Sequence, residues 1–203
     1  MTRTYHDLKP TFSDRTFWTS PKVLRHQAAH RPDATFLIAP EEGRQWTYAE
    51  MLEAAERVSA GAATGDRVLI MAANSSQFIR TWLGSAVAGL VEVPINTAYE
   101  GEFLRHQSVT VSPRWAVIDD VFAERFVAIR EHITSIEKFW VIDTGRLDAA
   151  LETLRRGGWA AEPWDEFETA APKAGADPSY RDLASIFFTS GTTGPSKGVA
   201  MPH

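Results

Sequence analysis

The sequence contains no cysteine. That excludes disulfides, thiolate metal ligands and a cysteine nucleophile together. It also excludes a disulfide-stapled secreted domain and makes a reducing cytosol the expected compartment. Long hydrophobic runs are missing too. The longest uncharged, mostly apolar stretch, Thr81 to Val91, is fenced by Arg80 and Glu92. It is too short for a membrane-crossing helix, which takes about 20 residues. The first 17 residues hold no apolar segment of the kind a signal peptide needs. Basic excess is absent: Lys and Arg number 21 against 26 Asp and Glu, a net charge of −5. A nucleic-acid partner is therefore not expected. No Gly-x-Ser-x-Gly elbow marks a hydrolase. His26 and His30 share a helix face, but Gln27 stands where a zinc-protease helix has Glu, so a zinc site is not expected.

What is present is the composition of a globular protein, 44% apolar and 23% charged. The 203 residues amount to one domain with a remainder, or to part of something larger. Ser20-Pro21 reads as a helix opening, with Ser20 as cap and Val23, Leu24, Gln27 and Ala28 inward. Ala34 to Ala39 and Arg44 to Thr47 read as an antiparallel hairpin. Thr47 and Glu50 form a capping box for the next helix.

From Gly65 onward strands and helices alternate. Strands are expected at Arg67–Ala72, Val91–Ile95, Trp115–Ile118, Phe139–Ile142 and Ala184–Phe188. Helices are expected after Asn74, around Glu102–Gln107, over Val121–His132 and over Leu147–Arg156. That alternation predicts an α/β fold, a mainly parallel sheet flanked by helices. Its crossovers should be right-handed. Gly157 to Tyr180 carries little pattern and reads as a surface excursion.

The final strand runs into Thr189-Ser190-Gly191-Thr192-Thr193-Gly194-Pro195-Ser196-Lys197-Gly198. Its glycines let backbone N–H groups approach a ligand closely. Its hydroxyls add donors and Lys197 adds one cation, with no carboxylate to oppose an anion. The chemistry suits phosphate and exceeds what a hairpin turn requires. The Walker pattern fails, because Ser196 replaces its Gly, Gly198 replaces its Ser/Thr, and Val199-Ala200-Met201 reads as strand rather than helix.

The stretch Phe187 to His203, FFTSGTTGPSKGVAMPH, closely resembles the phosphate loop of the adenylate-forming (AMP-binding) superfamily. That superfamily holds acyl-CoA synthetases, peptide-synthetase adenylation domains and luciferases. Trp46 to Glu50, Gly65 to Val68, Asn74-Ser75, Val93 to Asn96 and Asp177-Pro178 follow in the family's order, so the resemblance covers nearly the whole chain. Pro94 to Phe103 looks most like acyl-CoA synthetases of the carnitine/crotonobetaine-CoA ligase kind.

The resemblance implies an ATP-dependent acid–CoA ligase. A small-molecule carboxylic acid is activated as its acyl-adenylate, with pyrophosphate leaving, and is then passed to coenzyme A. Thr189, Ser190, Gly191, Thr192, Thr193, Gly194 and Lys197 would hold the ATP phosphates, Lys197 as the catalytic cation and Thr189 also as a Mg2+ ligand. A cytoplasmic enzyme is expected.

Family members are more than twice this long. The chain therefore reads as an incomplete N-terminal domain that is inactive alone. Residues 1–60 would pair with a second sheet not contained in it, and residues 61–203 form an α/β subdomain ending just past the loop. The unpaired hairpin edge is expected to favour self-association. Relatives also have a longer helix before Gly65 than Val58 to Thr64 allows. Two alternatives stay open: a non-catalytic truncated polypeptide with residual phosphate binding, and a carrier-loading adenylation domain.

Overall fold

The computed structural model describes residues 14–59, 64–189 and 195–203. The chain opens with helix α1 (Ser20–His30), hairpin strands β1 (Thr35–Ala39) and β2 (Arg44–Thr47), and helix α2 (Tyr48–Val58). β1 and β2 pair antiparallel around Gly43, whose φ of 62° is the left-handed conformation that glycine adopts without strain. Thr47 caps α2 through the reciprocal box with Glu50. α2 ends at Val58, and residues 60–63 lie outside the described chain.

The alternating part follows: β3 (Arg67–Met71), α3 (Ser76–Ala88), β4 (Val91–Pro94), α4 (Gly101–Val111), β5 (Trp115–Asp119) and α5 (Ala123–Val127). Then come β6 (Lys138–Ile142), α6 (Leu147–Arg156), β7 (Ala160–Pro163), α7 (Glu166–Thr169), β8 (Leu183–Thr189) and β9 (Lys197–Pro202). Seven strands form one sheet in the order β7-β6-β5-β3-β4-β8-β9. Every pairing in it is parallel except β8 with β9. The α/β architecture expected from the strand–helix alternation is the one observed.

Side chains of alternate parity on the strands cover the two faces. Leu69, Val93, Ile118 and Phe139 face α4, α5 and α6 through Leu104, Phe126 and Leu154. Val68, Ile70, Val117 and Ile142 face the other way, against Val58, Trp164 and Phe167. A third cluster joins Leu24, Trp46, Met51 and Ala55 to Leu83 and Val87 of α3, so the N-terminal helices and hairpin rest on that helix.

Several sequence expectations need correction. Thr19, not Ser20, caps α1, its hydroxyl accepting from the Lys22 N–H at 3.5 Å, and Pro21 is the second helical residue. Only Pro21 and Leu24 of α1 are buried, while Val23 is exposed. The expected helix over 121–132 is a short helix between two 3-10 turns, with the β-branched Val127 and Ile129 at its break. Phe122, Phe126 and Ile129 do point inward. α4 extends well beyond Glu102–Gln107.

The stretch 157–180 is not simply a surface excursion. It supplies edge strand β7, one-turn helix α7 and three buried aromatics, Trp159, Trp164 and Phe167. Four-residue elements, one of them ending in Pro163 at a sheet edge, are too short for periodicity to register.

Candidate phosphate site at the carboxyl edge of the sheet

β8 runs parallel to β4, so its C-terminal end lies at the same edge as the C-terminal ends of β3, β4 and β5. In open α/β sheets ligands bind outside that edge. The chain turns back there into β9, with Thr189 opposite Lys197 and Phe188 opposite Gly198. Gly198 permits a close strand approach, since a Cβ there would lie 3.0 Å from Ile186 Cγ2. The expectation that Val199 to Met201 is strand rather than helix is met, which removes the Walker context.

Of the expected phosphate ligands, the structure brings Thr189 and Lys197 together as exposed partners across the hairpin. Ser190, Gly191, Thr192, Thr193 and Gly194 lie outside the described residues. Lys197 takes part in none of the ion pairs among the described residues. One hydroxyl and one cation at the sheet's ligand edge suit phosphate oxygens. For magnesium they offer a single hard oxygen, that of Thr189, so most ligands would be phosphate and water oxygens. Among the described residues no cluster of three or more His, Asp or Glu could hold a metal.

Two residues missed by sequence reasoning touch the loop from α4. His106 Nε2–H donates to the Ser196 carbonyl at 2.9 Å. Gln107 Nε2 donates to Ser196 Oγ at 3.2 Å, from a side chain only 1% exposed. The His106 ring also meets Phe188 of β8 edge-on, with centroids 6.4 Å apart. The spacing of α4 gave no warning, because both contacts reach across sequence to a single residue.

A third residue, Glu92, carries a signal that was present: a carboxyl between Val91 and Val93, inside a strand covered on both faces. Glu92 is 4% exposed and borders a cavity of about 250 Å³ lined otherwise by Ile70, Phe78, Ile79, Trp82, Pro94 and Phe187. Its Oε1 accepts from Ser185 Oγ at 2.6 Å and from Trp82 Nε1, and its Oε2 has no hydrogen-bond partner among the described residues. Burial pushes this carboxyl up to about 8, against the smaller downward pull of the Ser185 hydroxyl.

His26 and His30 stack with centroids 3.9 Å apart, and His30 Nδ1–H donates to the His26 carbonyl at 2.8 Å. His203 is half-buried and its backbone N–H reaches the Asp182 carbonyl, which puts it at the end of the hairpin away from the loop. Burial lowers the His203 pKa, with Asp182 opposing.

Residues 24–203 match the family model described as AMP-binding enzyme. The chain belongs to the AMP-binding enzyme family. It is 32% identical over 194 residues to the long-chain-fatty-acid–CoA ligase FadD13 of Mycobacterium tuberculosis, covering 89% of this chain and 34% of that protein. The chain thus spans about a third of the length of these curated relatives, which include several CoA ligases and the long-chain fatty acid transport protein 1 of Rattus norvegicus. Among solved structures, the N-terminal domain of FACL13 from M. tuberculosis superimposes with a TM-score of 0.72 at 27% identity, over 91% of this chain and 44% of that one. The anthranilate CoA ligase AuaEII in complex with anthranoyl-AMP gives 0.77 at 20% identity, over 98% and 36%. The fold is that of the N-terminal domain of adenylate-forming enzymes.

Proposed function

We propose that this chain supplies the ATP-phosphate-facing part of an ATP-dependent acid–CoA ligase. The observation that carries the reading is the placement of Thr189 and Lys197 across from one another at the carboxyl edge, flanking the Ser190–Gly194 sequence. The loop holds the β- and γ-phosphates while a carboxylate oxygen attacks the α-phosphorus. The bond to the β-phosphate oxygen breaks, and pyrophosphate leaves with its charge balanced by Lys197. Magnesium, when bound, supplies further neutralisation, with the Thr189 hydroxyl as its protein oxygen. No covalent enzyme intermediate is needed, which accords with a chain that has no cysteine. Coenzyme A brings the thiol that takes the acyl group. The substrate is a small-molecule carboxylic acid.

The test is acid-dependent exchange of labelled pyrophosphate into ATP by the protein isolated from its native source, with its intact mass measured alongside. Exchange that falls about 100- to 1000-fold in Lys197→Ala supports the reading. Exchange indifferent to Lys197 overturns it. The 203 residues alone are expected to form no acyl-CoA. Supplying coenzyme A or a carrier protein as acceptor separates a CoA ligase from a carrier-loading domain.

A further inference from the structure

We propose that His106 and Gln107 of α4 are positioning residues that fix the returning limb of the phosphate-holding loop through Ser196. The inference rests on the phosphate reading of that loop and adds a mechanism for holding it. Ser196 immediately precedes Lys197, so whatever fixes Ser196 fixes where the cation leaves the backbone. The two contacts grip different parts of it. His106 holds the carbonyl at 2.9 Å and Gln107 the hydroxyl at 3.2 Å. Neither donor is a loosely placed surface group. The His106 ring is braced on Phe188 from the outgoing strand of the same hairpin, and Gln107 is almost wholly buried. A buried amide is costly unless bonded, so its bond to Ser196 stabilises one loop position over others. A proline at position 196 would keep the carbonyl that His106 uses and remove the hydroxyl that Gln107 needs, so the bond from the buried glutamine depends on a hydroxyl at this position.

The experiment reads hydrogen exchange at the Ser196 and Lys197 amides without nucleotide, and ATP affinity by competition with a fluorescent ATP analogue. His106→Phe keeps a ring against Phe188 but removes the donor, and His106→Gln keeps a donor. Gln107→Leu keeps the volume and removes the amide. Exchange is expected to quicken about three- to tenfold in His106→Phe and Gln107→Leu, the size of one hydrogen bond, and to stay near wild type in His106→Gln. Gln107→Leu combined with Ser196→Ala should act no more strongly than either alone, because both remove one bond. ATP affinity should fall by a similar factor. Unchanged exchange in His106→Phe and Gln107→Leu, or His106→Gln behaving like His106→Phe, overturns the proposal whatever the nucleotide does. Faster exchange together with ATP affinity indifferent to Lys197→Ala overturns the phosphate reading instead, and leaves the two contacts standing without that purpose.

Discussion

The guanidinium carbon of Arg80 lies 4.4 Å from the centroid of the Trp164 ring. The same group lies 4.4 Å from the Trp46 ring, donates to Ser76 and pairs with Glu168 of α7. One buried arginine of α3 thus ties the β2 hairpin strand to the 157–180 segment, and Trp164 answers with a 2.8 Å bond from Nε1 to Thr81 Oγ1. Arg80→Ala should cost about 3 kcal/mol, chiefly because it empties a buried space between two indoles, the Glu168 carboxylate left behind being 44% exposed. Urea unfolding measures this. A loss below about 1 kcal/mol, the size of an exposed pair, would mean that the arrangement contributes no more than a surface contact.

Stability should fall with rising pH through Glu92. Its carboxyl titrates near 8 in the fold and near 4.5 when unfolded, so the native state binds the extra proton between those values. Stability is greatest below about 4.5 for this group and declines as pH rises toward 8, by up to about 5 kcal/mol. Glu92→Gln keeps an acceptor for Trp82 and Ser185 and cannot ionise. Its stability advantage over wild type should widen from pH 5 to 8 and then level. Parallel stability curves for the two proteins would contradict the assignment.

Gly84 sets the approach of α2 to α3. A Cβ at that position would lie 2.5 Å from Val58 Cβ, closer than packed carbons allow. Gly84→Ala should destabilise by about 2 kcal/mol, and Val58→Ala in the same chain, which keeps Cβ but removes the Cγ1 that would lie 2.6 Å away, should recover part of the loss. Thermal unfolding of the two single variants and the double variant reads the coupling, and simple additivity would deny the contact.

Strand β9 closes the sheet on one side with every residue exposed, Val199 and Met201 among them. An edge of that length with apolar side chains invites pairing with another chain. Ile38 of the separate hairpin, 60% exposed, adds to the apolar surface. Sedimentation of the 203-residue chain is expected to show concentration-dependent association that Val199→Lys diminishes. A monomer at every concentration would show that the edge is adequately protected.

The central sheet was legible because its strands are runs such as Val68 to Met71 and Ala116 to Ile118, bounded by polar breaks, and because α3 and α6 are long enough to show a period. The hairpin and the Thr47–Glu50 box were legible because they are local chemistry. The 157–180 segment was not, since Trp164 and Phe167 are buried by α3 and β6 rather than by any repeat of their own. At the loop, the residue types and glycines carried the expectation of phosphate binding, and the structure describes only Thr189 and the residues from Pro195 onward. The supports at His106 and Gln107 stayed hidden because a contact spanning about 90 positions leaves no trace in spacing.

The antiparallel junction of β8 and β9 also acts as a caliper. Adjacent strands of a ladder stand about 5 Å apart, so the backbones at Thr189 and Lys197 are held at that gap by the sheet itself. A ligand touching both does not have to draw distant chain ends together, because loop closure was completed when the sheet formed. Such a ligand has no need to part the two strands: it can meet the Thr189 hydroxyl and the Lys197 ammonium from beyond the end of the ladder, at a spacing that the backbone pairing has already set.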